Sequence, residues 1–109
     1  MKLKNIGSNM TEVTYTNEGP FSRKQETTVL FSYSTPVAAH SEQSMSFYKT
    51  TKKWSPTTTR HINKWLQAQG GPEVVLVADQ SWFDTLVEVN GHVGRAYNNS
   101  GQATHLEEK

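Results

Sequence analysis

The sequence contains no cysteine, which removes disulfides, thiolate metal sites and cysteine nucleophiles in one step. It also lacks any apolar run near the ~18 residues of a membrane span. The opening Met1-Lys2-Leu3-Lys4 has no apolar stretch behind it, so neither a signal peptide nor insertion in a membrane is expected, and the expected compartment is the cytoplasm. Hydrophobic residues are scarce, at 34%, and the mean hydropathy is −0.69. A chain of 109 residues is sized for one domain, and so polar a chain is expected to keep part of its length outside the core. Acid is missing from one interval. Between Glu42 and Glu73 there is no Asp or Glu, while the same stretch holds Lys49, Lys52, Lys53, Arg60 and Lys64. The net charge of +1 hides this concentration of positive charge in the middle of the chain.

Glu12 to Thr16 alternates Val13 and Tyr15 with polar neighbours, as a half-buried strand does. Thr27 to Tyr33 is rich in β-branched and aromatic residues and reads as a second strand. Ser34-Thr35-Pro36 interrupts it, since proline has no amide hydrogen to donate, and Val37 to His40 is then a bulged continuation or a new edge strand. Met45 to Thr50 alternates again and completes an antiparallel meander. At Trp54-Ser55-Pro56 the period changes: Ser55 can accept from free helical amides and Pro56 suits the first helical position. Ile62, Trp65 and Leu66 fall on one face of the helix that follows, and Gly70-Gly71-Pro72 ends it.

Glu73 to Val77 is a short apolar run, suited to a buried strand or to a segment crossing the core. Asp79 is placed to cap a second helix carrying Trp82, Phe83, Leu86 and Val87, with Asn90-Gly91 as a left-handed stop. A rival reading makes residues 86–97 a hairpin around the same Asn-Gly pair. The expectation is an α+β domain over residues 1–90, an antiparallel three- or four-stranded sheet with two helices packed on one face, followed by a flexible polar tail over residues 91–109. Oligomeric state is open; Phe21, Tyr97 and an edge at Val37 to Ala39 are candidate dimer contacts.

No motif carries enzyme chemistry. His40, His61, His92 and His105 are too widely spaced for a local metal signature and read as surface or capping residues. No Gly-x-Ser-x-Gly surrounds any serine. Gly70-Gly71-Pro72 follows a helix, where a phosphate cradle would precede one. Neither catalytic residue, metal nor cofactor is therefore expected. The residues singled out for binding are Lys49, Lys52, Lys53, Trp54, Arg60 and Lys64. They combine clustered cations, neighbouring hydroxyls and a helix N-terminus, the groups that contact nucleic-acid phosphates, and Trp54 can stack on an unpaired base. Solvated lysines and a tryptophan packed against the helix start would give the same pattern. Arg60 and His61 near the positive helix end oppose its dipole, so an outside anion or a nearby carboxylate is expected.

The runs Leu30-Phe31-Ser32-Tyr33-Ser34-Thr35-Pro36-Val37-Ala38-Ala39-His40 and Thr57-Thr58-Thr59-Arg60-His61-Ile62-Asn63-Lys64-Trp65-Leu66, with Tyr48 to Ser55 between them, resemble a group of small uncharacterised proteins encoded by bacteriophages and mobile elements. The resemblance implies a phage or prokaryotic origin, hence the host cell cytoplasm, and brings no activity or site with it. Two functions follow as expectations: a non-enzymatic accessory protein binding nucleic acid, DNA or RNA, through the basic surface, or an inhibitor or adaptor that docks on an acidic surface of a host protein.

Overall fold

The computed structural model describes residues 1–18, 23–100 and 105–108. Ten elements follow one another: β1 (Lys2–Gly7), β2 (Met10–Glu18), β3 (Lys24–Ser32), β4 (Thr35–Ser41), β5 (Ser46–Thr50), α1 (Pro56–Ala68), β6 (Val74–Ala78), α2 (Gln80–Glu88), α3 (Val93–Ser100) and β7 (His105–Glu108). The strands form one sheet in sequence order. Every pairing is antiparallel except β5 with β6, which is parallel.

The α+β class is as expected, but the sheet is larger and mixed. Parallel neighbours need a crossover of a dozen or more residues, and α1, with 13 residues, supplies it. The apolar run at Val74 is therefore a strand beside β5. The expected two helices on one face are instead divided between faces. Alternate residues of a strand point to opposite faces, and here both faces are buried. Leu30, Ala38 and Val75 pack with Ile62, Trp65 and Leu66 of α1. Their strand neighbours Val29, Ala39 and Tyr48 pack with Trp82, Phe83 and Leu86 of α2 and with Val93 and Ala96 of α3.

Pro36 lies in an internal strand, a position proline tolerates only at a bulge. The β3–β4 register shifts between Leu30 and Phe31, leaving Val37 as the extra residue. Neither alternative for Val37 to His40 holds in full: the segment is a new strand that carries a bulge, not a continuation of β3, and it is internal, with Val37, Ala38 and Ala39 fully buried. Of the other candidate dimer contacts, Phe21 and the Tyr97 side chain lie outside the described residues.

The tail expected from residue 91 is occupied at its start by α3, with Val93 and Ala96 in the core, and β7 pairs with β6. Residues 101–104 and 109 lie outside the described residues. Asn90 and Gly91 stop α2 with φ of 53° and 78°, and the Gly91 amide donates to the Leu86 carbonyl at 2.8 Å. The hairpin over residues 86–97 is ruled out by α2 and α3. Gly91 is pressed onto the sheet so closely that a Cβ there would lie 2.9 Å from Tyr15 Cβ and 3.0 Å from Thr27 Cβ; only glycine meets both the backbone angle and the space.

Candidate functional site

Strands lie about 4.8 Å apart, so a seven-stranded sheet is roughly 29 Å wide, whereas a helix with its side chains is about 10–12 Å across. Two helices share one face; α1 alone cannot cover the other. It leaves a groove on each side.

The groove over β5 and β6 has a volume of about 560 Å³ and is lined by Lys49 and Thr50 of β5, Thr51, Lys52, Lys53 and Trp54 of the connection to α1, Pro56, Thr59, Ile62 and Asn63 of α1, and Val77 of β6. None of these side chains is acidic. A carboxylate outside the lining does touch it: Asp79 Oδ1 accepts from Thr51 Oγ1 at 3.2 Å. Asp79 holds the N-cap position of α2 without capping it; its side chain is turned to the connection instead.

The connection is held by one residue that the sequence did not single out. Gln80 Oε1 accepts from Thr50 Oγ1 at 2.9 Å and from Trp54 Nε1 at 3.2 Å, while its Nε2 donates to the Pro36 carbonyl at 2.7 Å. Trp54 is half-buried against the α1-side core, and Lys52 Nζ lies 4.2 Å from the centre of its ring, a cation–π distance. Its indole is therefore engaged at the N–H and at the ring. Ser55 caps α1 as expected, its Oγ accepting from the Thr58 amide at 3.3 Å, with Pro56 in the first turn.

The six expected site residues do not form one cluster. Lys49, Lys52, Lys53 and Trp54 share the groove. Arg60 is exposed on the outer side of α1, where its Nη2 donates to Thr57 Oγ1 at 3.2 Å. Lys64 lines the second groove, of about 380 Å³, across α1, together with Lys4, Glu12, Thr28, His40 and Trp65. Helical geometry accounts for the separation: at 3.6 residues per turn, Lys64 is rotated about 100° from Asn63 and faces the opposite flank. In that second groove Trp65 Nε1 donates to Glu12 Oε2 at 2.6 Å, and burial holds the His40 imidazole below its usual pKa, with the Glu42 charge partly opposing.

His61 departs from its expected surface placement. It is buried, with Nδ1 2.8 Å from Ser32 Oγ, which also lies 2.9 Å from Thr58 Oγ1. The pair resembles a serine–histidine dyad only in composition: Ser32 is 2% exposed, so its hydroxyl faces the core and ties β3 to α1. His92 does cap, its Nδ1 accepting from the Arg95 amide at 3.2 Å. Among the described residues, no group of three or more His, Asp or Glu side chains is arranged to hold a metal, and no helix is long and apolar enough to cross a membrane.

Neither a curated protein nor a solved structure matches the chain. A family profile does match, over residues 1–85, and those residues run from β1 through most of α2, including both grooves. The chain belongs to the family of unknown function DUF8033.

Proposed function

We propose that this protein is a non-enzymatic nucleic-acid-binding module whose contact surface is the groove between α1 and the β5–β6 pair. One observation carries the reading: Lys49, Lys52 and Lys53 converge on a single groove lined by no acidic side chain. Phosphates are attracted by such a cluster, and each neutralised phosphate releases a counterion. The three threonine side chains in the lining add hydroxyls, and the first turn of α1, which has no acidic residue, turns its positive end towards the same side. Arg60 extends the positive surface over the outside of the helix; Lys64, across α1, is peripheral to it.

Fluorescence anisotropy with labelled single-stranded and duplex DNA and RNA, measured at several salt concentrations, tests the reading. The expected result is micromolar or tighter binding at low salt. The slope of log K against log salt should be about −2 for single strands and nearer −3 for duplex if three lysines contact phosphates. Lys52→Glu with Lys53→Glu should abolish it. Absence of binding at low salt, or binding indifferent to the double substitution, overturns the proposal and transfers the basic groove to an acidic protein partner.

A further inference from the structure

β3 and β4 are joined by two residues, Tyr33 and Ser34, between the paired Ser32 and Thr35. Tyr33 has a φ of 56°. A two-residue turn with positive φ at its first position is the place where glycine prevails, because a Cβ there crowds the backbone. Asn9, Met45 and Asn90 share this region; asparagine tolerates it, whereas the bulkier Tyr33 and Met45 hold it at a cost, and of these two Tyr33 is the aromatic one. Burial does not offset the cost, since Tyr33 is 53% exposed.

The strained residue is nevertheless held firmly. Its amide donates to the Asn9 carbonyl at 2.8 Å, joining the β3–β4 turn to the β1–β2 turn. Its ring lies 5.9 Å from that of His61, which is itself fixed by Ser32. A costly backbone conformation thus presents an aromatic ring to solvent on a rigid mount beside the start of α1. Strain kept in this way is a mark of functional positions. Trp54, the aromatic residue suggested by the sequence for stacking, is less suited to it, with its indole N–H taken by Gln80 and Lys52 over its ring.

We infer that Tyr33 is a stacking platform for an unpaired base, so that the ligand of this surface is single-stranded nucleic acid. The inference rests on the nucleic-acid reading above. A strand stacked on Tyr33, beside His61 of α1, reaches the lysine groove across that helix, about 10–12 Å wide with its side chains, and Arg60 is exposed on α1. Bases stack on aromatic rings with little dependence on sequence, so little sequence preference is expected.

The test compares wild type, Tyr33→Gly, Tyr33→Phe and the Lys52→Glu/Lys53→Glu double variant. Each is titrated against a 12-nucleotide single strand and the corresponding duplex. Tyr33→Gly relieves the positive φ, so it should melt at the same temperature as wild type or higher, and still lose about 10-fold or more in single-strand affinity, with duplex affinity nearly unchanged. Tyr33→Phe keeps the ring and should bind as wild type does. Equal single-strand binding by wild type and Tyr33→Gly, alongside loss in the lysine variant, overturns the platform and leaves the basic groove standing. Equal losses on single strand and duplex also overturn it. No binding by wild type to either probe removes the nucleic-acid reading itself, and the platform with it.

Discussion

The two faces of the sheet are built to different standards of closure. On the face covered by α2 and α3, Val13, Tyr15, Val29, Ala39 and Tyr48 meet Trp82, Phe83, Leu86, Val93 and Ala96, with Tyr48 and Trp82 rings 4.7 Å apart and Trp82 and Phe83 edge-on at 5.1 Å. On the other face, α1 seals Met10, Leu30, Val37, Ala38 and Val75 and leaves lysines, threonines and a histidine along both flanks. Both faces bury a core, but the candidate binding chemistry lies on the second. Substitutions should separate accordingly.

The largest effect is expected at Phe83, which is fully buried. Phe83→Ala should lower unfolding stability by about 3–5 kcal/mol in chemical denaturation, the usual cost of deleting a core aromatic side chain. Gly91→Ala should follow at ~2–4 kcal/mol, since it combines a left-handed backbone with contacts at 2.9 Å and 3.0 Å. The Lys52→Glu/Lys53→Glu variant should stay within about 1 kcal/mol of wild type, because both side chains are exposed and only the Lys52–Trp54 cation–π contact is lost. A loss of stability there comparable to that of Gly91→Ala would collapse the division between the two faces.

The smallest effect is a pH slope from the α1 face. Burial lowers the folded-state pKa of His40, with the Glu42 charge working against it. The unfolded chain therefore binds the proton more readily, and stability falls as pH drops through the ordinary histidine range, near 6.5. The other charged and polar side chains lining the second groove with His40 are Lys4, Glu12, Thr28, Lys64 and Gln69. His40→Gln should flatten the decline in melting temperature between pH 7 and 5. An unchanged slope would assign that acid sensitivity to other groups.

The elements that depend on short-range chemistry were legible in the sequence. Ser55-Pro56 marks the start of α1, Thr27 to Ser32 the core of β3, with Tyr33, expected in that strand, lying in the turn after it, and Asn90-Gly91 the end of α2. β1 was not, because an edge strand with Lys2, Leu3, Lys4 and Asn5 all exposed has no apolar alternation to reveal it. α3 was hidden for a related reason: only Val93 and Ala96 of its described side chains enter the core. The two-sided burial did leave a trace. Adjacent apolar pairs such as Val29-Leu30 and Ala38-Ala39 are what a strand covered on both faces requires, and alternation alone obscured it. At the site, the cluster of lysines could be read directly. The role of Gln80 could not, since it depends on β6 lying beside β5, and neither could the position of Tyr33, which depends on a backbone angle.

The strand order has a consequence for how the chain reaches this structure. Each strand pairs with its neighbours in sequence, and the longest closures within the sheet are the two spanned by helices, α1 between β5 and β6 and α2 with α3 between β6 and β7. Loop closure costs entropy before contacts reward it, and folding slows as contacts become less local. This sheet can grow by successive addition, strand by strand, and the chain should fold at the faster end of the range for mixed α/β domains, with the two helix-spanned closures, β5–α1–β6 and β6–α2–α3–β7, as its slowest steps.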